Sequence, residues 1–567
     1  MANNKPEGAF AEANIRNFPG ISGERLLDGT VAAAEMVNFR IRSDGSLETR
    51  CGYRRIFTAP GVPRTVFSGY HAGESVLYFL IGSGIYRYYE GDEYGYLYCG
   101  SVGTTEGNAE FAVYHGKLYL FDGAEIYVKD GTHFRRAEGY LPLYGKDWGP
   151  STCGDVYEEE NLLTPRVRIR YRNEAGETKI CFPRRVESVD RILIDGIEIP
   201  TEAATLLGTG LECTCVDFEA AEEIEVIVTL HTEDRRATIR SLTRVLPYGE
   251  ADERSLLCYG GSDAARLYSS TAVSESSARE SDSRGGCCGG ELYFPVTGIS
   301  YCLDAPITAV CRHYGRLLLF TGSGAWVMDP AGDSVVQVHA SIGCDKTDGA
   351  VLCGNTPMTY FGGRLWAWSV KRESENEYSA SVLSDPVSKT VMEMRSGRVL
   401  MQYYPARGEL WISSGKGEIL IYNTERAVFY RFSGIAADRL IASAEDVLFL
   451  SGTSLMQMDE ALSEDEDGVG IRAYYESGWL DFGHPERTKR AVRYLLSGNP
   501  GGGNLTLRIQ SERGVTATAS LFGRAATVPN AYGGRISVGR FRYLSYSITV
   551  RGAARASVHA LTVTARK

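Results

Sequence analysis

"GKLYLFDG" at residues 116–123 returns almost unchanged as "GRLLLFTG" at residues 315–322. A chain that writes one phrase twice carries an internal repeat. The phrase reads as turn, strand, turn. Leu118, Tyr119, Leu120 and Phe121 form an apolar run of strand formers. Asp122-Gly123 is a tight-turn dipeptide, because glycine accepts a positive φ without a Cβ clash. Weaker copies begin at Ser75, Gly363, Gly408 and Asp446, so the six starts lie 41, 199, 48, 45 and 38 residues apart. Four of these intervals match one four-stranded propeller blade, about 40–50 residues. The long interval leaves room for an inserted domain. The pattern predicts an all-β chain: a β-propeller of about six blades, with an inserted β-domain and a C-terminal β-sandwich. A seventh blade stays open at residues 250–300, where "SLLCYGG" and "ARLYSST" read as strands. A plain sandwich of similar hairpins is the alternative, but it gives no reason for near-constant spacing. Leu118, Leu317, Leu365 and Leu410 are expected at one equivalent strand position.

Length and composition point the same way. A chain of 567 residues is too long for one ordinary domain. Its 64 glycines and 34 tyrosines suit many short strands joined by tight turns. No long segment carries apolar residues at helical spacing. No apolar run approaches the roughly 18 residues that a membrane helix needs, and the polar N-terminus lacks a signal-peptide core. Thirteen cysteines, irregularly spaced and without a CxxC pair, read as reduced, buried small hydrophobes rather than a zinc or redox centre. A net charge of −11 disfavours wrapping nucleic acid, yet allows a surface past which DNA slides.

Five regions follow from the pattern. Residues 1–60 are an arm plus strands, with a hairpin turn at Asp44-Gly45, placed to lend a strand to the last blade and so remove an exposed edge. Residues 61–150 hold the first blades. Residues 151–245 form the inserted β-domain, whose alternating apolar and charged residues suggest a sheet with one solvated side. Residues 246–462 return to blades, interrupted at 274–290 by a loop-like stretch rich in Ser and Gly. Residues 463–567 open with the acidic "EDEDG" at 464–468, read as a solvated linker, and continue as the sandwich.

Chemistry-bearing motifs are missing. The chain has no GxSxG, HExxH, phosphate-binding P-loop or dinucleotide fingerprint. No catalytic residue, cofactor or metal site is expected, and the chain reads as a non-enzyme. His313 reads as a satisfied structural histidine. "NPGGGN" at 499–504 reads as a flexible hairpin tip. The densest basic cluster, Arg487, Lys489, Arg490 and Arg493, is the candidate interface, against a phosphate backbone or an acidic partner subunit, with the solvated face of a strand as the plain alternative. Six tryptophans could stack on sugars, but Trp326, Trp366 and Trp411 fall at repeat strands, where a core role is expected.

The arm "NFRIRSDGSLETRCGYRRI", residues 38–56, resembles a pattern near the start of phage tail proteins: Asn, a strand, Gly, a strand, Arg-x-Gly. "PITAVCRHYGRLLLFTGSGAWVM" looks like their blade region, and "SGWLDFGHPERTKRAVRYLL" is similar to their C-terminal sandwich segment. The order of these segments resembles the nozzle, or tubular protein B, of short-tailed phages. The resemblance implies a β-propeller virion protein without catalytic residues, present as a homo-oligomeric ring of six copies. It implies contacts with the tail adaptor and other tail proteins, transient passage of DNA through the channel, and no stable insertion in a membrane. The protein would be made in the host cytoplasm and reside in the virion tail. The alternatives are a receptor- or glycan-binding propeller of the virion, or a polysaccharide-degrading enzyme on the same fold.

Overall fold

The computed structural model describes residues 10–22, 32–88, 95–232, 236–248, 255–271, 292–298, 300–328, 334–370, 377–466, 468, 470–522, 529–552 and 554–566. Strands make up 56% of the described residues against 6% helix, so the class is all-β. The Ser- and Gly-rich stretch at 274–290 lies outside the described residues.

The repeated unit is a four-stranded antiparallel sheet in meander order, the blade of a β-propeller. Seven occur among the described residues, so the open region at 250–300 does contribute a blade. They cover residues 63–101, 110–136, 244–302, 307–339, 350–382 and 400–433, and the seventh combines 439–459 with the arm strand Gly52–Thr58. That strand pairs antiparallel with Ser454–Asp459, as the arm's position in the sequence predicts.

The quoted phrase marks a turn. In the first, second and fourth blades the first two strands join through two-residue loops, Ala72-Gly73, His115-Gly116 and Tyr314-Gly315. Both residues of each loop have positive φ. This is the type I′ turn, whose twist matches that of the flanking strands. Leu118 and Leu317 follow such turns on the second strand of their blades, and Leu410 holds the same strand position after a longer 3-10 connection, Pro405–Arg407 closed by Gly408. Leu365 does not. Its glycine pair, Gly362-Gly363, joins the second and third strands of the fifth blade. The true second strand there is Thr356–Phe361, disguised by Pro357 and two threonines. Pro357 pairs only with Leu352 of the first strand, and pairing with the third strand begins at Met358. A missing N–H costs no bond at such a position. All four leucines are buried.

The chain divides into two compact units. In one, residues 61–307 and 328–335, neighbouring blades share apolar cores: Tyr78, Leu80 and Phe111 join the first two, and Tyr119, Leu256 and Cys258 join the second and third. The same unit carries a five-stranded sheet, with Arg166–Arg172 next to Glu223–Leu230, and a three-stranded sheet, packed through Val167, Ile169, Tyr171, Ile180 and Val226. In the other unit, Phe320 and Trp368 join the fourth and fifth blades, and Tyr360, Leu410 and Leu420 join the fifth and sixth.

The sixth blade continues into a nine-stranded sheet through Ala33–Val37, Arg472–Ser477, Leu544–Arg551, Asn504–Ser511 and Thr516–Phe522. A second, seven-stranded sheet centres on Lys489–Asn499 and Ser557–Arg566. It also takes the arm strands Phe10–Ile15, Phe39–Ile41 and Leu47–Thr49. Leu496, Leu507, Ile548 and Leu561 fill one core between the two sheets, which makes the C-terminal part a sandwich.

Candidate functional site

Two sets of charged side chains stand out in the larger unit: one paired around a buried junction, and one of exposed arginines on a single sheet face. The buried set grows from the arm. Asn38 sits at φ +57, a conformation Asn tolerates better than most residues. Its side-chain oxygen accepts from Ser433 N at 2.8 Å, and its amide donates to Ser433 Oγ and Arg472 O, both at 2.9 Å. Arg50, 1% exposed, donates Nε to that same oxygen at 3.0 Å. Its two terminal nitrogens meet the Asp465 carboxylate bidentately, both at 2.7 Å, and also reach Cys51 O and Ser433 O. Glycine is required at both ends of the hairpin: a Cβ on Gly45 would lie 2.1 Å from Asn17 Oδ1, and one on Gly52 would lie 1.8 Å from Glu464 O.

Within the "EDEDG" stretch Glu464, Glu466 and Gly468 are exposed, as in a solvated linker, but Asp465 is half-buried. Asp465 is clamped by Arg50, and Glu466 pairs with Arg55 at 2.7 Å. Beside the clamp lies a cleft of about 430 Å³ lined by Glu35, Asn38, Arg50, Asp465 and Arg472. Arg50 and Asp465 neutralise each other there, so neither is available to a ligand.

A second buried group lies nearby. Glu409, 1% exposed, accepts from Arg40 Nε at 2.8 Å, Tyr430 Oη at 2.7 Å and Trp411 Nε1 at 3.0 Å. Burial and then the Glu409 charge push the Tyr430 hydroxyl well above its ordinary value, so it stays a donor. Glu460 receives Arg40, Arg407 and Arg555. Burial raises its pKa, but those three guanidiniums outweigh it and hold the carboxyl below its usual range.

The exposed set contains part of the basic cluster read from the sequence. Lys489 leaves it: the residue is 1% exposed, and its ammonium donates to His484 O at 2.5 Å and Arg487 O at 3.0 Å. A strand that starts at Lys489 turns this side chain inward, where backbone carbonyls receive it. Arg487 is exposed and pairs loosely with Glu486 at 3.4 Å. Arg490 and Arg493 are exposed on the central strand of the seven-stranded sheet. Three residues apart, they would normally face opposite sides. An irregularity between Ala491 and Arg493 brings them to the same one.

The register adds three arginines that the sequence cluster lacks. Arg490 stands opposite Arg540 on one neighbouring strand and Arg566 on the other, and Arg493 stands opposite Arg535. All five are exposed. None makes an ion pair or side-chain hydrogen bond among the described residues. Like charges placed directly opposite repel, each pair by on the order of 1 kcal/mol in water. Near these arginines the face carries Glu12, opposite Thr564, whose hydroxyl donates to it at 3.3 Å. Phe10, 58% exposed, stands opposite Arg566, and Leu495, 50% exposed, lies two residues beyond Arg493.

Elsewhere the centre of the expected solvated face of the 166–230 sheet is buried, although Arg172 at its end is exposed. Arg168 and Arg170 are 1% and 5% exposed, and Arg170 reaches the buried Glu225 at 3.2 Å. Alternation with charge therefore does not mark a wet side here. His313 is satisfied, as expected: Nε2–H donates to Asn355 O at 3.0 Å, and Nδ1 accepts from Tyr378 Oη at 2.9 Å. Burial holds its pKa below the ordinary value, against the opposing effect of the Asn355 bond. No tryptophan is exposed. Trp148, Trp326, Trp368 and Trp411 are buried, and Trp366 and Trp479 are half-buried. Eight of the described free cysteines are buried, and burial pushes Cys213 up to about 11 and Cys311 and Cys344 up to about 12. Cys287 and Cys288 lie outside the described residues. Among the described residues, no group of three or more His, Cys, Asp or Glu is placed to hold a metal, and no helix is long and apolar enough to cross a membrane.

No family model and no curated protein matches the chain. Among solved structures, the extracellular domain of BT4673 from B. thetaiotaomicron aligns at a TM-score of 0.38 and 8% identity, over 91% of this chain and 61% of that one. This chain thus spans about three-fifths of that domain. YCF48 bound to D1 peptide aligns at 0.35 and 8%, over 72% of this chain and 95% of that one. BBS1N in complex with ARL6DN aligns at 0.34 and 8%, over 73% and 97%. Likeness at this level carries no argument about what the chain binds or does.

Proposed function

We propose that the chain is a structural protein of a phage tail, nozzle-like, that assembles as a homo-oligomeric ring continuing the DNA-ejection channel. The observation that carries this reading is the convergence of the arm's motif residues. Asn38, Arg50 and Gly52, the Asn and Arg-x-Gly that the arm shares with tail proteins, meet in one buried junction with Ser433 and Asp465. The motif's Gly45 supplies the turn that brings its two strands together. A chance likeness would scatter such residues over unrelated surface positions. The junction ties the arm to the last blades and the sandwich, which suits a protein that must stay closed under load. The face of unpaired arginines suits one that meets neighbours.

The test is to purify tailed particles from cells that carry the gene and locate the chain by immunogold labelling. Label at the tail below the head is the expected result. Absence from purified particles, with the chain recovered free or at the cell surface, overturns the reading in favour of a binding propeller.

A further inference from the structure

We propose that the arginine face of the seven-stranded sheet is the docking surface for a second copy of this chain, which presents a different, acidic surface to it. The inference rests on the ring reading above and names the contact that would build the ring.

Three observations support it. First, Arg490, Arg493, Arg535, Arg540 and Arg566 share one face across three strand pairings, and no carboxylate of the chain pairs with them among the described residues. Such a cross-strand array gains nothing from the described residues around it, so a neighbouring molecule is where its compensating charge is sought. Second, the face combines arginine with exposed Phe10 and Leu495, and its cations include no exposed lysine. Arginine and aromatic residues are enriched, and lysine depleted, where proteins meet proteins. A surface built for phosphate alone needs no apolar contacts. Third, the chain itself offers the complement. Its net charge is −11, and Asp217, Glu219 and Glu222 are exposed, without ion pairs among the described residues, beside Val216 at 81% exposure.

The face cannot meet its own image. A two-fold axis through this face would set arginine against arginine; docking against a different, acidic face of the next copy avoids that, and such contacts, repeated head to tail, close into a ring when the rotation closes.

The test is sedimentation velocity on the full-length chain over a range of concentrations, at about 50 mM and about 500 mM salt, with the wild type beside the triple variant Arg490→Ser, Arg535→Ser and Arg566→Ser. The wild type is expected to assemble, and more weakly at high salt. The triple variant is expected to assemble at least tenfold more weakly, with an unchanged circular-dichroism spectrum and melting temperature. Should the triple variant fail to fold, Arg490→Ser alone, at an exposed position, carries the same expectation with a smaller loss. If the wild type and the triple variant assemble equally, this inference falls and the ring reading stands on another interface. A wild type that stays monomeric throughout sinks both. Retention of duplex DNA that the triple variant loses, with assembly unaltered, assigns the face to nucleic acid and also overturns the inference.

Discussion

Arg50 and Arg490 are the same side chain in opposite circumstances. Arg50 is 1% exposed, with both terminal nitrogens committed to Asp465 and its Nε to Asn38. Arg490 is exposed, with an arginine opposite it on either side. A buried charge is tolerated only when paired and hydrogen-bonded, so Arg50 reports on the fold. An exposed charge held among like charges contributes nothing to the fold, so Arg490 reports on what the molecule meets. Burial and pairing, rather than residue type, separate structural arginines from interacting ones.

The sharpest way to break that contrast is at the junction. In Gly52→Ala the new Cβ would meet a backbone carbonyl oxygen at 1.8 Å, and backbone cannot swing aside as a side chain can. No soluble folded chain is expected on expression. Arg50→Ala strands the Asp465 carboxylate and should cost about 3–5 kcal/mol in chemical denaturation. A loss below about 1 kcal/mol would mean that the clamp is not what holds the arm.

Core truncations rank next. Leu118→Ala, Leu317→Ala and Leu410→Ala, at one strand position in three blades, should each cost about 2–5 kcal/mol. Losses that match among the three would sharpen the repeat. A near-zero loss at any one would break it.

Acid is a gentler probe of the buried set. His313 is neutral when folded, and burial lowers its pKa. The unfolded chain therefore takes up the proton first, near pH 6.5. Stability should be flat above that pH and fall as the pH drops from there towards the lowered folded value, by at most about 1.4 kcal/mol per pH unit for this group. Glu460, exposed at the edge of that set but ringed by three arginines, adds a smaller, later loss, because its pKa lies below the ordinary carboxylate value and its solvent-screened stabilisation is lost as the pH falls through that lower value. Melting curves from pH 8 to pH 3, compared with those of His313→Gln, separate the two losses (about 6.5 and about 4 are the ordinary histidine and carboxylate values).

The smallest effect belongs to the exposed set. Arg490→Ser or Arg535→Ser should leave the stability of the isolated chain within about 0.5 kcal/mol, and any change should favour the variant, because a like-charge contact is relieved. A large destabilisation would show that these side chains serve the fold after all.

Much of this fold is legible in the sequence because turn chemistry is local. A hairpin joined by His115-Gly116 or Tyr314-Gly315 announces itself in two residues. The same locality explains the slip at Gly363: the two-glycine turn there has the same signature, and nothing local says which hairpin of the blade it closes. The third blade, residues 244–302, was harder to read because its second pair of strands is split by a long segment. The junction was half visible: the arm motif flagged Asn38, Arg50 and Gly52, but their partners Ser433 and Asp465 lie some 400 residues away, and no local pattern connects them. The arginine face was less visible still. Arg490 and Arg493 stood out as a cluster, whereas Arg535, Arg540 and Arg566 join them only through strand register. Lys489 looked equivalent to its neighbours because strand phase, which turns it inward, is set by pairing with Phe541 rather than by composition.

The most direct measurement is a cryo-EM map of the full-length wild-type chain assembled at low salt. The account predicts a closed ring in which Arg490, Arg535 and Arg566 lie within ion-pairing distance of carboxylates on the adjoining copy. Lone monomers, or a ring whose arginine face lines the lumen or points to solvent, would contradict it.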